Sequence, residues 1–403
     1  MRKILQNLKG DKVIWAVVLI LSLISILAVY SATGSLAYRE KVNPEFYLLK
    51  QIFILIMGLV LMYFAHLIKY THYSKISQIA LLISVVLLLV TLFRGETENE
   101  ATRRLILPII NIKFQPSDFA KLALIMYLAR LLSNRQEDIK DYKKGFLPIV
   151  IPIAVIFMLI LPDNLSTAAI LFATSLILIF VGRVKTQYIL SLLGVMAVLC
   201  GIFFLVAKNS PNQGRLRTWG NRIENFMGTG TPDPKDEFQN NQAKIAIANG
   251  APFGKFPGNS TQRNILPQAY SDFIFAIIIE EYGLLGAIVI ILLYLILLYR
   301  GIRIASRCDK FFGTLLGLGI SFVIVFQAMI NMGVTLDLLP NTGQTLPLVS
   351  LGGTSIWLTS IGIGILLSIS RANEEAEKLK AEQDANQEAN NELKTETTDA
   401  VTA

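Results

Sequence analysis

The feature that most constrains this sequence is a succession of long apolar runs. Most are close to the roughly 20 residues that a helix needs to cross a bilayer. The ten runs cover residues 13–32, 51–68, 76–93, 118–132, 146–161, 167–181, 188–207, 280–299, 311–330 and 354–370. Only 16% of the residues are charged, whereas water-soluble globular proteins carry about 25%. We therefore predict an all-α polytopic membrane protein with ten transmembrane helices.

The basic residues predict how these helices are oriented. The first run follows Arg2, Lys3, Lys9 and Lys12. It is longer than the apolar core of a cleavable signal and lacks a small-residue cleavage site, so we expect an uncleaved span. An even number of spans puts both termini on one side, where the short loops carry sixteen Lys and Arg residues against seven on the other side. The positive-inside rule then places both termini in the cytoplasm.

Two segments differ from the rest of the chain. Residues 208–272 form the large extracytoplasmic loop, and a connection this long is normally functional or disordered. Its mixture of aromatic, apolar, Gly and Pro residues predicts short helices folded against the outer face. Residues 371–403 carry nine acidic and four basic residues, a net charge of −5, which leaves +13 for the rest. We predict a membrane domain over 1–370 and an acidic, disordered or partly helical cytoplasmic tail over 371–403.

The rare residues exclude several kinds of chemistry. The only histidines are His66 and His72, near the end of one span, so neither a Ser-His-Asp triad nor a His-rich metal site is expected. Cys200 lies in an apolar run and Cys308 in a basic loop, a pattern typical of neither a disulfide nor a zinc site. The basic residues follow the loops and do not cluster on one soluble face, so we expect no nucleic-acid binding.

A first polar cluster lies at the start of the fourth span. Charges inside a span cost about 2.5 to 3.5 kcal/mol at the helix centre, so each needs an explanation. Arg103 and Arg104 precede a helix start at Pro116, where Asp118 can bind first-turn amides. Lys121 then lies about one turn inside the helix. It either snorkels to the interface or directs its charge into a polar cavity, and position alone favours neither.

Two more clusters lie on the outer side. The tight connection Pro162–Ala168 is best explained by a turn and a helix N-cap. In Leu266–Phe275, Asp272 stands where the long loop enters the membrane. It is either an N-cap residue or a partly desolvated carboxylate, whose pKa could rise toward that of a useful base. Glu280 and Glu281 should lie two turns deeper and face the bundle interior, with Lys121 as a candidate partner.

The fourth cluster is a backbone repeatedly broken by Gly and Pro. It comprises Asn331–Val334, Leu339–Pro347 and Ser350–Ser355. Such backbone at membrane depth is tolerated only where it is buried in protein or lines a wet cavity. We therefore expect it to form a wall of the site, with Ser350, Gly352 and Gly353 among the lining residues.

These four clusters, in this order, resemble the SEDS family (shape, elongation, division and sporulation). One such motif would be a weak indication, but four in order over residues 13–371 are specific. The resemblance implies a ten-helix membrane bundle with its large outer loop between helices seven and eight. It also implies peptidoglycan glycosyltransfer at the outer face of the bacterial cytoplasmic membrane, in which lipid II is polymerised into glycan strands and undecaprenyl pyrophosphate is released.

The resemblance also assigns residues. Asp272 matches the family's catalytic aspartate, in a segment usually read His-Thr-Asp-Phe-Ile-Phe whose His is here Tyr270. Gln268 replaces a usual Glu, Arg104 a usual Trp and Asp118 a usual Glu. The residues expected to bind the substrate are Arg103, Lys121, Arg215, Gln268, Glu281, Ser350, Gly352 and Gly353.

In the implied mechanism, Asp272 takes the proton of the lipid II hydroxyl that attacks the anomeric carbon of the lipid-linked strand. Arg103, Lys121 and either Arg215 or Arg217 would stabilise the charge on the leaving pyrophosphate. The sequence holds no self-contained metal site, and a divalent cation, Mg or Mn, could assist the leaving group.

The resemblance further implies a class B penicillin-binding protein as the transpeptidase partner, together with other division proteins. The segment Gly258–Gln262 is more like the division branch of the family than the elongation branch, which predicts a location at the division septum. Three alternatives stay open: an elongation polymerase, a lipid II flippase or transporter that uses Asp272, Glu281 and Lys121 as a polar pathway, and a non-catalytic scaffold that recruits a transpeptidase.

Overall fold

The computed structural model describes residues 9–94, 96–98, 101–107, 112–162, 164–209 and 234–402. Twelve α-helices make up most of this part of the chain. They are α1 Lys12–Ala32, α2 Gly34–Glu40, α3 Pro44–Leu67, α4 Tyr70–Arg94, α5 Pro116–Asn134, α6 Leu147–Ile160, α7 Leu165–Val181, α8 Thr186–Asn209, α9 Pro234–Gly250, α10 Ile274–Ser306, α11 Phe311–Thr335 and α12 Thr354–Thr402. A π-helical turn, Tyr142–Phe146, leads into α6, and a 3-10 turn, Gln262–Asn264, follows α9.

Seven helical segments in the described residues are long and apolar enough to cross a membrane. They are Lys12–Ala32, Pro44–Leu67, Tyr70–Phe93, Tyr142–Ile160, Ile274–Ser306, Phe311–Thr335 and Thr354–Ala385. Helix α7 and the Thr186–Leu199 part of α8 are shorter apolar helices, and α5 carries the charged residues Asp118, Lys121 and Arg130. The chain thus has the character of a multi-pass membrane protein. Ten spans with both termini in the cytoplasm stay a prediction.

A small sheet interrupts the helical pattern between α4 and α5, which the all-α prediction did not include. Its strands are β1 Glu96–Glu98, β2 Ala101–Leu107 and β3 Ile112–Phe114. They pair antiparallel in the order β1-β2-β3, with Leu105 opposite Phe114. The run Leu105-Ile106-Leu107 is too short for a helix that crosses a bilayer, and a hairpin satisfies its backbone groups within the connection itself.

The bundle is assembled around α11, which contacts α5, α7, α10 and α12. Helix α12 lies along α3, and small residues let these two helices approach closely. A Cβ atom on Gly58 would lie 2.8 Å from the Ser360 hydroxyl, and one on Gly364 would overlap the Met62 carbonyl. We call the end of the bundle that carries Pro234–Asp272 the loop end. The opposite end, which carries Gly10 and the part of α12 around Glu374, is the terminal end.

Helix α10 contains a break that decides where two acidic residues lie. Gly283 has φ 67° and ψ −162°, a backbone conformation that favours glycine. A Cβ atom there would overlap the Pro252 carbonyl oxygen. Residues 274–282 therefore form a short helix at the loop end, and the long helix of this element follows the break.

The tail is helical in the structure, since α12 continues to Thr402. We had predicted a disordered or partly helical extension over 371–403. Ala, Glu, Lys and Gln, which dominate the segment, are strong helix formers, so a helix that begins in the bundle can propagate through it. The Asn373 amide donates to the Ile304 carbonyl at 2.9 Å, and Lys380 pairs with Asp309 at 3.2 Å.

Candidate active site

The segment before α10 is a tight turn that presents Asp272. Gln268 adopts φ 56°, and its carbonyl accepts the Ser271 amide at 3.0 Å. The helix begins at Ile274, and Phe273 occupies the N-cap position. Neither Ser271 nor Asp272 is therefore the N-cap residue, which removes the simplest structural explanation for Asp272. Its side chain is partly buried beside the fully buried Phe273.

The Gly/Pro-broken loop between α11 and α12 is bonded to this turn. The Leu351 amide donates to the Tyr270 carbonyl at 3.0 Å. The Ser350 hydroxyl donates to the Ser271 carbonyl at 2.6 Å and accepts the Leu346 amide at 2.8 Å. Ser350 is fully buried, so its hydroxyl holds the two segments together. The Gly/Pro-broken loop thus lies against the turn of Asp272, and its role as a wall of the substrate site stays a prediction.

Gly352 and Gly353 follow Ser350 and are partly exposed. Gly353 has φ 51°, a left-handed conformation that turns the chain into α12. A Cβ atom on Gly352 would meet only ordinary contacts, the nearest at 3.6 Å. An alanine would therefore fit at Gly352 without overlap.

Two amide side chains of α11 connect this loop to its surroundings. Asn331 Nδ2 donates to the Asp272 carbonyl and to the Gln344 carbonyl, both at 2.7 Å. Gln327 Nε2 donates to the Thr345 carbonyl at 3.0 Å. The Asn331 and Gln327 side chains are both buried.

Lys121 is buried and neutralised inside the protein. Its Nζ pairs with Asp118 Oδ1 at 2.8 Å and donates to Gln327 Oε1 at 2.6 Å. Only 8% of the Lys121 side chain is exposed, which decides against snorkelling to the interface. Pro116 occupies the first turn of α5 as expected, whereas Asp118 serves as the counter-ion of Lys121.

The second cluster joins the same network. Asn164 is the N-cap residue of α7, as the sequence predicted, and its Oδ1 accepts the Thr167 amide at 3.1 Å. Gln344 Nε2 donates to Asn164 Oδ1 at 3.0 Å and to Thr167 Oγ1 at 2.8 Å. The Pro162–Ala168 connection therefore does more than cap α7: through Asn164 and Thr167 it also anchors the loop beside Asp272.

Glu280 and Glu281 do not lie two turns deeper in the bundle. The break at Gly283 holds them at the loop end, and neither pairs with Lys121. Glu280 is fully buried and binds Lys255 Nζ at 3.1 Å, the Thr261 hydroxyl at 2.8 Å and the Gln262 amide at 3.1 Å. It also accepts the Ser260 hydroxyl. The carboxylate therefore fixes residues 255–262 against the start of α10.

Glu281 accepts the Ser31 hydroxyl of α1, and Arg263 Nη1 lies 3.2 Å from the same hydroxyl oxygen. Its carboxylate is also buried. The proposed substrate residue Glu281 is thus part of a link between α1 and the outer segment. Gln268, another proposed substrate residue, contributes its backbone carbonyl to the turn at Asp272.

Two predicted pyrophosphate ligands lie partly or wholly outside the described residues. Arg103 belongs to β2, in the connection that leads into α5 and Lys121, and its side chain is not described. Arg215 and its alternative Arg217 fall in residues 210–233, outside the described part of the chain. Among the described residues, His, Cys, Asp and Glu nowhere form a group of three that could hold a metal ion.

Comparison with known proteins decides the family. Residues 11–375 match the family model of FtsW, RodA and SpoVE, described as "Cell cycle protein". The chain belongs to the SEDS family. Stage V sporulation protein E of Bacillus subtilis (strain 168) is 33% identical over 366 residues, which cover 90% of this chain and 97% of that protein. A relative from Haemophilus influenzae, named "Probable peptidoglycan glycosyltransferase FtsW", is 35% identical over 377 residues, with 91% and 92% covered.

Solved structures share this SEDS fold. A chain described under "Structural coordination of polymerization and crosslinking by a peptidoglycan synthase complex" superposes with a TM-score of 0.71 at 24% identity, over 90% of this chain and 98% of that one. The rod shape determining protein RodA of Thermus thermophilus superposes with a TM-score of 0.65 at 22% identity, over 90% and 97%. At 24% and 22% identity, the similarity to these two structures shows a shared fold and nothing more.

Sequence reasoning missed Gln327, Lys255 and Ser31. Each of the three supplies the hydrogen-bonding partner of a charged residue that the sequence analysis had singled out. Sequence could have indicated Gln327, because it is an amide four residues before Asn331 on the same face of a largely apolar helix.

Proposed function

We propose that this SEDS protein polymerises lipid II into glycan strands at the outer face of the bacterial cytoplasmic membrane. In the proposed step the acceptor hydroxyl attacks the anomeric carbon of the lipid-linked donor. The new glycosidic C–O bond forms as the C–O bond to phosphate breaks, and undecaprenyl pyrophosphate leaves. Asp272 is the general base that takes the hydroxyl proton.

One observation supports this proposal above the others. The segment of Asp272 is bonded through Asn331, Ser350 and Leu351 to a loop that reaches Lys121 through Gln327. A carboxylate able to act as a base and a cation able to stabilise phosphate charge thus belong to one connected framework at the loop end. Glycosyl transfer from a pyrophosphate donor needs both groups.

The remaining assignments follow from family membership. The substrate-binding set keeps Arg103, Lys121, Arg215, Gln268, Glu281, Ser350, Gly352 and Gly353, with a divalent cation as an optional aid to the leaving group. Residues 1–370 form the ten-span domain, with 208–272 outside the cell and 371–403 in the cytoplasm. Relatives named FtsW support peptidoglycan glycosyltransfer, and a solved chain of a peptidoglycan synthase complex with the same fold supports a class B penicillin-binding protein as partner.

The central test is polymer formation. The purified protein, together with its penicillin-binding partner, is supplied with lipid II, and glycan strands are separated by size. We expect polymer from the unmodified protein and almost none from Asp272→Asn, which keeps the shape of the side chain and cannot accept the proton. Equal polymer from Asp272→Asn would refute the assignment of the base.

The same preparation tests the transporter alternative. If no polymer forms and labelled lipid II changes leaflet in liposomes, the protein is a flippase. If neither activity occurs and the penicillin-binding partner is still retained, the scaffold alternative holds.

We further propose a septal role, on the basis of the Gly258–Gln262 segment. Stage V sporulation protein E is as similar to this chain as several FtsW proteins are, so similarity leaves the cellular role open. Depletion in the source bacterium decides it: filaments indicate division, round cells indicate elongation, and a defect confined to spores indicates sporulation.

A further inference from the structure

We propose that Gln327 and Asn331 are positioning residues that hold Lys121 and Asp272 in register through two neighbouring loop carbonyls. The proposal deepens the glycosyltransferase function proposed above and rests on it. We call this pair of α11 side chains the amide ladder.

The geometry of the amide ladder is specific. Asn331 donates one N–H to Asp272 O and the other to Gln344 O, both at 2.7 Å. One turn earlier, Gln327 donates to Thr345 O at 3.0 Å and accepts from Lys121 Nζ at 2.6 Å. The ladder thus binds the carbonyls of two consecutive residues, and on its other side it binds the cation and the backbone of the proposed base.

The choice of residue types argues against simple core filling. Leu or Met would fill similar space in an apolar helix, but each would leave buried carbonyls without a hydrogen-bond donor, which is unfavourable. An Asp or Glu would place oxygen against those carbonyls. Among uncharged side chains, only an amide offers two N–H groups on one nitrogen, as Asn331 uses them, and the same group also offers an N–H and an acceptor together, as Gln327 uses them.

The arrangement matters for the reaction because base and leaving-group cation must act on the same substrate at once. A misplacement of about 1 Å can cost on the order of 100-fold in rate. Gln327 and Asn331 both belong to α11 and bind the carbonyls of two consecutive loop residues. One helix therefore fixes the backbone at Asp272, the loop at Gln344 and Thr345, and the Lys121 ammonium relative to one another.

The test compares variants of the full-length protein in the polymer assay. Asn331→Leu should lower kcat by about tenfold or more and leave KM for lipid II within about threefold, because it disturbs the base. Asn331→Asp should do the same, since it keeps the size and loses both donors. Gln327→Met should lower kcat and raise KM together, because it removes the hydrogen bond that holds Lys121, and the pyrophosphate is charged both in the bound donor and in the transition state.

Two substitutions on the same helix serve as controls. Thr335→Val and Ser321→Ala each remove a buried hydroxyl that bonds only within α11, to Asn331 O at 2.9 Å and Gly317 O at 2.7 Å. We expect both to keep kcat and KM within about twofold of the unmodified protein, at matched melting temperatures. If Asn331→Leu behaves like these controls, or if the three amide variants all lower kcat and leave KM unchanged, the amide ladder has no positioning role.

A second measurement does not depend on activity. Hydrogen–deuterium exchange should rise in residues 266–273 and in 341–351 of Asn331→Leu, and not in Thr335→Val, because only the first variant cuts the bonds between these segments. Unchanged exchange in both segments would overturn the inference. An unmodified protein that makes no polymer would instead count against the proposed function, and exchange would still decide whether the ladder holds the segments together.

Discussion

Lys121 shows at the scale of a single residue how a charge is kept inside this bundle. The sequence placed it one turn inside α5 and left open whether it reaches the interface or a cavity. The structure buries it against Asp118 and Gln327. Asp118 lies three residues before Lys121 on the same helix, whereas sequence could not identify Gln327, because it lies 206 residues away and only helix packing brings the two together.

The ion pair of Lys121 gives a first prediction. Asp118→Asn should destabilise the protein by about 3 to 5 kcal/mol, because it leaves a buried ammonium without its counter-charge. Lys121→Met should have a similar cost, since it strands the carboxylate. The double variant should recover part of the loss, because it buries no unpaired charge. Thermal unfolding in detergent measures all three, and a double variant as unstable as the sum of the singles would contradict the pairing.

Glu280 shows how one buried carboxylate orders a loop. It binds Lys255, Ser260, Thr261 and Gln262, all from one outer segment. The sequence analysis expected both acidic residues of this pair to face the bundle interior. Both side chains are buried, but their partners are Lys255 of the outer segment and Ser31 of α1 and not the candidate Lys121.

A second prediction concerns this carboxylate. Glu280→Gln keeps the size of the side chain but loses the negative charge that binds Lys255. Its NH₂ group would also face hydroxyl and amide donors of residues 260–262, whose hydrogen bonds it cannot accept. We expect faster proteolysis within residues 255–262 and a lower melting temperature, in keeping with the roughly 1 to 3 kcal/mol of a lost charged hydrogen bond. Glu375→Gln is the control, because the Glu375 side chain is 49% exposed and its ion pairs with Lys9 and Arg371 lie far from residues 255–262. Equal protease resistance in both variants would contradict the role of Glu280.

At the scale of an element, the break in α10 separates the short helix after Asp272 from the long helix that follows. The third prediction is that Gly283→Ala destabilises the protein by more than the roughly 1 kcal/mol of an ordinary positive-φ glycine. The excess arises because the new Cβ would overlap the Pro252 carbonyl. Gly194→Ala in α8 is the control, since no atom lies within 4 Å of its Cβ position, and it should be stabilising by up to about 1 kcal/mol, because Ala is the better helix former. If Gly283→Ala melts at the same temperature as the unmodified protein, the prediction is wrong and the break in α10 can straighten.

At the scale of the whole molecule, the acidic tail closes the terminal end. Glu374 accepts the Gly10 amide at 3.1 Å, and Glu375 and Glu377 pair with Lys9 and Arg307 at 3.7 and 3.5 Å. A cavity of about 260 Å³ lies where this helix, the Gly10–Val13 segment and the last turns of α10 meet. Glu375 and Glu377 of the tail therefore pair with two of the basic residues that the positive-inside rule counted.

The fourth prediction tests how much this contact contributes. Truncation after Ala385 should leave the melting temperature unchanged, because these contacts lie before it. Truncation after Ala372 should lower it slightly, since exposed ion pairs are each worth about 0 to 1 kcal/mol. The difference in melting temperature between the two truncated proteins should shrink in about 1 M salt, where charges are screened within about 3 Å. A difference that salt does not change would assign the effect to packing.

The sequence by itself determined the membrane character of the chain, its long apolar helices, the four polar clusters and the family, because hydropathy, charge and motif order are local properties that survive without a fold. It also determined single helix ends, such as Pro116 and the Asn164 cap. The tertiary structure decided which distant polar groups meet: Lys121 with Gln327, Glu280 with the outer segment, and Asp272 with Asn331. These pairings depend on how helices far apart in sequence pack, and on one glycine whose backbone angles no hydropathy pattern encodes.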